Sequence, residues 1–340
     1  MNNFAIGVDL GGTNLRVAAV DEQGRLIEKV TLGTELSLGR EGVLNDMCDA
    51  IERLSEKFRN SGTLVGIGIG VPGIIDVQTG LVRAAVNLPG WAGYPVRAEI
   101  EKRLKTMVTL ENDARVAALG EKWLGAAKDF RDVAMLTLGT GVGGGLILDG
   151  AIWHGVNGMA GEFGHMTVEP EGRLCGCGNR GCLEQYASAA AVVRMARETA
   201  LSNRSSALAQ AANGDTELSA HAIYNLTMQG DEDARRIFRS VGRSLGIALS
   251  SLVNALNLPI YVIGGGVSGA WDAFSPTMFE ELRKRSIVYA ANTLRSNSAE
   301  NRIHSTGETI IARAMLGSDA GLYGAARLPM IADGIAGVRS

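Results

Sequence analysis

One plan occurs twice in this chain, and it restricts the fold more than any other feature. Ala5–Leu10 is an apolar run that ends in Gly11-Gly12-Thr13-Asn14. Leu15–Val20 follows as a second strand, then the turn Asp21-Glu22-Gln23-Gly24 and a third strand from Arg25 to about Thr31. At Val133–Leu138 the plan returns: a strand, Gly139-Thr140-Gly141, a partner strand at Gly143–Leu148, and the turn Asp149-Gly150. Both central positions of that turn tolerate positive φ, which is what a two-residue hairpin demands. Two similar halves, each opening with a glycine turn of phosphate size, predict two related domains facing one cleft. The 340 residues agree, being about twice the ~150-residue prior for a single domain.

The rest of the chain alternates strand and helix. Leu44, Met47, Ile51, Leu54 and Phe58 recur at steps of three and four, the spacing of an amphipathic helix. Leu64–Gly70 reads as a buried strand closed by Val71-Pro72-Gly73. Helices are expected at about 96–105 and 113–124 with a strand at 108–111 between them, then helices at about 188–200, 217–229 and 231–256. Pro259–Ile263 is a strand delivering Gly264-Gly265-Gly266, a further helix starts near Pro276, and the polar tail from Asp333 frays.

Composition excludes several classes. Hydrophobic residues make up 46% and charged residues 20%, a globular profile. Net charge is −3 and the basic residues do not cluster, so no nucleic-acid groove is expected. Ser244–Trp271 carries no formal charge, yet Asn254, Asn257, Pro259 and three glycines interrupt it. It reads as a buried helix running into a buried strand, and no membrane span is expected. Met1–Leu10 shows no export signal, so the expected location is the cytoplasm, where cysteines serve as thiols or metal ligands.

Glycine carries much of the functional signal, at 45 residues. In Asp9-Leu10-Gly11-Gly12-Thr13-Asn14, two glycines let backbone amides approach an anion and Thr13 adds a hydroxyl. Asp9 is placed to hold a phosphate-bound Mg²⁺ through water. The spacing matches neither a Rossmann fingerprint nor a Walker loop. The stretch from Gly139 to Gly145 has five glycines in seven residues, and Gly264-Gly265-Gly266 follows a third apolar strand. The first and third loops alone read equally well as ordinary turns, five glycines in seven residues are hard to justify structurally, and the three together favour a nucleotide site.

His165, Cys175, Cys177 and Cys182 form the sharpest local pattern. One histidine and three thiols complete a tetrahedral Zn²⁺ shell with no open position, and Gly176, Gly178 and Gly181 supply bends. Glu162 and Glu184 flank this cluster, and a metal there would fix both carboxylates for hydrogen bonding to a polyol. Asn112-Asp113 sits where a strand passes into a helix; Asp113 is a candidate base, but on position alone a helix N-cap is the better reading. Cys48 falls on the apolar side of its helix. His154, His221 and His304 have no partner that the sequence names.

With these residues assembled, the chain resembles the ROK family of bacterial sugar kinases, in particular its glucokinases. The likeness runs from Asp9-Leu10-Gly11-Gly12-Thr13 through Gly70-Val71-Pro72-Gly73, Glu111-Asn112-Asp113-Ala114, Leu138-Gly139-Thr140-Gly141 and Gly161-Glu162-Phe163-Gly164-His165. It continues over Cys175–Ser188, where Glu184-Gln185-Tyr186-Ala187-Ser188 is similar to the glucokinase form of the segment.

The resemblance implies an α/β, two-lobed actin/hexokinase-like fold of the ribonuclease H type. Residues 1–111 with a returning helix near 317–340 would form the smaller lobe, and 112–316 the larger. ATP would lie between them, with Gly11, Gly12 and Thr13 on the phosphates from one side and Gly139, Thr140 and Gly141 from the other. Gly264, Gly265 and Gly266 would sit near the adenosine. Asp113 is implied as general base on the glucose 6-hydroxyl, and Asn112, Glu162, His165 and Glu184 as ligands of the other hydroxyls. Zinc is implied as structural and Mg²⁺ as the partner of ATP, in a homodimer or homotetramer. Relatives that phosphorylate mannose, fructose, N-acetylmannosamine or N-acetylglucosamine are the alternative. Sugar-responsive repressors of the family carry a helix-turn-helix ahead of the sugar domain, and a first loop at Asp9 leaves it no room.

Overall fold

The computed structural model describes residues 2–85, 87–203, 206–212, 218–296 and 308–335. The chain opens with β1 (Asn2–Leu10), β2 (Asn14–Asp21), β3 (Leu26–Gly33) and α1 (Gly39–Phe58). Next come β4 (Gly62–Val71), a small hairpin of β5 (Ile74–Asp76) and β6 (Leu81–Ala84), α2 (Val96–Leu104), β7 (Val108–Asn112) and α3 (Asp113–Leu124). The plan restarts with β8 (Val133–Leu138), β9 (Val142–Leu148) and β10 (Ala151–Ile152). Helices α4 (Glu184–Ala187), α5 (Ala189–Ser202), α6 (Ala207–Ala212), α7 (Ala220–Met228) and α8 (Glu232–Leu256) follow. The chain then forms β11 (Ile260–Gly264), α9 (Trp271–Arg285), α10 (Ile287–Ser296), β12 (Ile310–Arg313) and α11 (Ala320–Ile335).

Two five-stranded sheets share one order. The first is β3-β2-β1-β4-β7 and the second β10-β9-β8-β11-β12. Counted within each sheet, both run third, second, first, fourth, fifth, so the repeated strand-turn-strand plan reports a repeated fold. In the first sheet β1 pairs antiparallel with β2 and parallel with β4. In the second, β9 and β10 meet through Asp149 (φ 53°) and Gly150 (φ 79°), the expected positive-φ turn.

Compactness divides the chain into two units: Met1–Val133 with Gly145–Gly161 and Met315–Ser340, and Ala134–Gly144 with Glu162–Ala314. In the first unit, Ile6, Val8 and Leu10 of β1 and Ile67 and Ile69 of β4 pack with Leu44, Met47, Ile51 and Leu54 of α1. Cys48 is buried in the same core. Ala18 and Val20 of β2 pack with Leu322 and Ala326 of α11. Helices α3 and α11 touch backbone to backbone, because a Cβ on Gly324 would lie 1.6 Å from the Val116 carbonyl oxygen.

In the second unit α8 packs along α9, and Tyr261 of β11 is fully buried with its hydroxyl donating to the Leu252 carbonyl at 3.1 Å. The uncharged stretch is indeed the end of α8 running into β11, and no described helix is long and apolar enough to cross a membrane. Two expectations are corrected. Helix α9 begins at Trp271, with Pro276 inside it; proline is favoured at a first helical position, but here it stands one turn in, where its missing N–H leaves the carbonyl four residues back without that bond, so it marked the wrong boundary. The expected fraying from Asp333 gives way to helix through Ile335; residues 336–340 and His304 lie outside the described residues.

Candidate active site

In the first unit the candidate base sits at the junction of β7 and α3. Asn112, not Asp113, is the N-cap: its Oδ1 accepts from the amides of Ala114 (3.0 Å) and Arg115 (3.2 Å). Asp113 is thereby the first helical residue. Its Oδ1 accepts from the Ala114 amide at 2.8 Å and from Asn112 Nδ2 at 3.0 Å. Asn112 Nδ2 also donates to the Gly73 carbonyl at 3.0 Å. Gly73 has φ +117° and a Cβ there would lie 2.2 Å from the Ala84 carbonyl oxygen, so the turn after β4 needs glycine.

Burial pushes the Asp113 carboxyl up to about 6; the negative charge of Asp9 adds to this, and the bonds from Ala114 and Asn112 work against it. Asp9 stands opposite Arg16 in the β1–β2 register and pairs with it, Nη1 to Oδ2 3.1 Å. Burial still leaves the Asp9 carboxyl above its ordinary range. The loop after Asp9 is closed by the Gly11 amide donating to the Asn14 carbonyl at 2.8 Å, and the Thr34 hydroxyl donates to the Gly11 carbonyl at 2.8 Å. Gly12 faces open space.

The second unit gathers the other candidates. Glu184 opens α4, and its Oε2 accepts from the Val142 amide at 3.0 Å. The Ala189 amide, at the start of α5, donates to the Gly139 carbonyl at 2.8 Å. Gly265 lies against the end of β8, 2.5 Å from its ideal Cβ position to the Leu138 nitrogen, so the 264–266 loop adjoins the 139–141 loop.

His165, Cys175, Cys177 and Cys182 offer ligand atoms all within 4.8 Å of one another. Cys177 Sγ is 3.6 Å from Cys182 Sγ, and Cys175 Sγ is 3.7 Å from His165 Nδ1. Thiolates ~2.3 Å from one tetrahedral Zn²⁺ would stand roughly 3.8 Å apart, so the set fits that ion. Burial pushes the Cys182 thiol up to about 12, and only a bound cation would make its thiolate favourable at neutral pH. With Nδ1 turned to the thiols, His165 Nε2 lies 4.0 Å from Glu162 Oε2.

Some contacts lie outside the motifs. Glu111 and Arg115 form a buried pair at 3.2 Å, with side chains 2% and 4% exposed. Arg115 Nη2 donates to the carbonyls of Gly158 (2.6 Å) and Ala160 (3.0 Å), and His154 Nε2 sits 2.5 Å from Glu111 Oε2. Glu111 and Arg115 lie four apart on one face of the β7–α3 junction, a legible pairing, but the 154–160 loop reaches them only through the tertiary fold. A cavity of about 170 Å³ opens beside the third glycine loop, lined by His221, Tyr224, Phe238, Gly266, Val267 and Ala270. Its α7 residues are far from any motif, and only their aromatic character hints at a role.

Comparison with known proteins agrees with this architecture. The ROK family model matches residues 5–330, and the chain belongs to the ROK family. It is 38% identical over 325 residues to a glucokinase of Halalkalibacterium halodurans, covering 95% of this chain and 94% of that one. A glucokinase of Thermotoga maritima is 36% identical over 323 residues, covering 95% and 96%. Among solved structures, a ROK family glucokinase from Streptomyces griseus in complex with glucose and AMPPNP superposes with TM-score 0.77 at 35% identity. That match covers 96% of this chain and 98% of the other.

Proposed function

We propose that this protein is an ATP-dependent glucokinase that transfers the γ-phosphoryl group of MgATP to the 6-hydroxyl of glucose. The observation that carries the reading is Asp113: a carboxyl held by Asn112 and the Ala114 amide and raised to about 6. Such a group is ionised at neutral pH yet more basic than an ordinary aspartate, the compromise general-base catalysis favours. Family membership and the glucokinase relatives supply the reaction class.

In the first unit, Asp113 takes the 6-hydroxyl proton as that oxygen forms its bond to the γ-phosphorus; the bond from phosphorus to the bridging oxygen breaks and ADP leaves. Amides of Gly12 and Thr13 hold phosphate oxygens, Gly11 shapes the turn that presents them, and Asp9 would hold the Mg²⁺, which offsets charge developing on the phosphates. Asn112 orients the base and caps its helix. In the second unit, Gly139, Thr140 and Gly141 bind phosphates, while Gly264, Gly265 and Gly266 and the neighbouring cavity receive the adenosine. Glu162 and Glu184 accept from sugar hydroxyls and His165 Nε2–H donates to one, and groups paired to hydroxyls in this way reject sugars lacking the matching hydroxyl.

His165 Nδ1, Cys175, Cys177 and Cys182 would hold a structural Zn²⁺, whose closed shell fixes the loop instead of polarising substrate. The test is ADP release across glucose, mannose, fructose, N-acetylglucosamine and N-acetylmannosamine. Glucose should give the largest kcat/KM; a tenfold higher value for an N-acetyl sugar or fructose would overturn the sugar assignment.

A further inference from the structure

The chain just after β8 and the carboxylate that opens α4 are in direct contact. Val142 donates its amide to Glu184 Oε2 at 3.0 Å, and among the described residues no donor reaches the other oxygen, Oε1. The contact is possible only because residue 141 is glycine: an ideal Cβ there would stand 2.3 Å from Oε2 and 3.2 Å from the carboxyl carbon. Gly141 does not adopt positive φ. Its backbone therefore accepts alanine, and the demand for glycine comes from space alone. The backbone on both sides is tied, by Arg194 Nη2 donating to the Gln185 carbonyl at 2.6 Å and by the Ala189 amide donating to the Gly139 carbonyl at 2.8 Å, so a methyl group at 141 would displace the Glu184 carboxylate.

We infer that Gly141 and the Val142 amide are positioning residues for the sugar: they hold Glu184 with Oε1 presented to substrate, and so link sugar affinity to the nucleotide loop. The inference rests on Glu184 being a hydroxyl ligand. A carboxylate accepting one amide bond is fixed in one rotamer and arrives at the sugar with that entropy already lost. Because the donor opens β9 directly after the loop assigned to phosphates, a shift of that loop reaches Glu184. Linkage then requires nucleotide and sugar to change each other's affinity by one common factor.

The experiment measures glucose Kd by calorimetry without nucleotide, alongside KM for glucose and for ATP, in Gly141→Ala, Glu184→Asp, the double variant and Glu184→Gln. Gly141→Ala should weaken glucose binding roughly ten- to a hundredfold even with no nucleotide present, the scale of a lost hydrogen bond to a charged group. The shorter aspartate withdraws from the new methyl group, so the double variant should lose less than the product of the two single losses. A glucose Kd within about twofold of wild type in Gly141→Ala, with only the ATP KM raised, would contradict the inference. Unchanged glucose affinity in Glu184→Gln would overturn the assignment beneath it. Should Gly141→Ala fail to fold, wild-type protein still decides: glucose Kd must differ with and without a non-hydrolysable ATP analogue, and identical values would refute the linkage.

Discussion

Asn112 divides its side chain between a helix and a carboxylate. Its Oδ1 caps α3 through Ala114 and Arg115, while its Nδ2 donates to Asp113 Oδ1 at 3.0 Å and to the Gly73 carbonyl at 3.0 Å. One side chain thus ties the turn after β4, the start of α3 and the rotamer of the proposed base. The four consequences below follow from this junction and from the His/Cys cluster.

Replacing Asp113 by Asn keeps the size and the bond from the Ala114 amide but removes the proton acceptor. The kcat should fall by about 10²–10⁴, with glucose Kd changed far less. Steady-state kinetics with calorimetric sugar binding checks this, and near-wild-type kcat would return Asp113 to a structural role.

Acidity supplies a second check. The Asp113 carboxyl titrates at about 6 when folded, against 3.8 as its ordinary value. Activity should therefore rise through a limb near pH 6 that vanishes in Asp113→Asn. The same shift opposes folding at higher pH: this group's contribution to stability is fully present below pH 3.8 and is lost as pH rises through about 6. Asp113→Asn should consequently raise Tm at pH 8 relative to wild type, as scanning calorimetry would read. Asn112→Asp keeps the cap while adding a negative charge beside the base, and should move the limb upward.

Arg115 anchors the loop before Glu162. Arg115→Met strands Glu111 in the interior and orphans the carbonyls of Gly158 and Ala160. Loss of one partner of a buried pair costs about 3–5 kcal/mol, which denaturant unfolding should register. Unaltered stability would mean that Glu111 is satisfied by the Asn112 amide and His154 without Arg115.

Cys177→Ser removes one ligand of the His/Cys set. Wild type should carry about one zinc per chain by elemental analysis, and the variant far less, with glucose affinity falling sharply and ATP affinity much less. A zinc-free protein that bound glucose at full strength would leave the cysteines as reduced thiols.

The sequence made much of this visible because its signals are local. Strand, glycine turn and strand are set by residues a few positions apart, and the His165–Cys182 pattern spans one loop, so both could be read along the chain. Asn112-Asp113 was half legible: either residue can cap, and only the backbone decides that Asn112 does. The Arg115 bonds to Gly158 and Ala160 and the approach of Glu184 to Val142 span 42 to 45 positions. Contacts at that separation depend on the packed fold, and no periodicity announces them. Helices α6 and α10 were missed for a related reason: both are short, and short apolar stretches fit strand, helix or loop.

The most direct measurement is to follow the product of glucose and MgATP by phosphorus NMR. A single new phosphate ester should form, at C6 of glucose, one-for-one with ADP, and its rate of formation should fall in step with kcat in Asp113→Asn. ADP formation without a sugar ester, or an ester at another position, would contradict the proposed function.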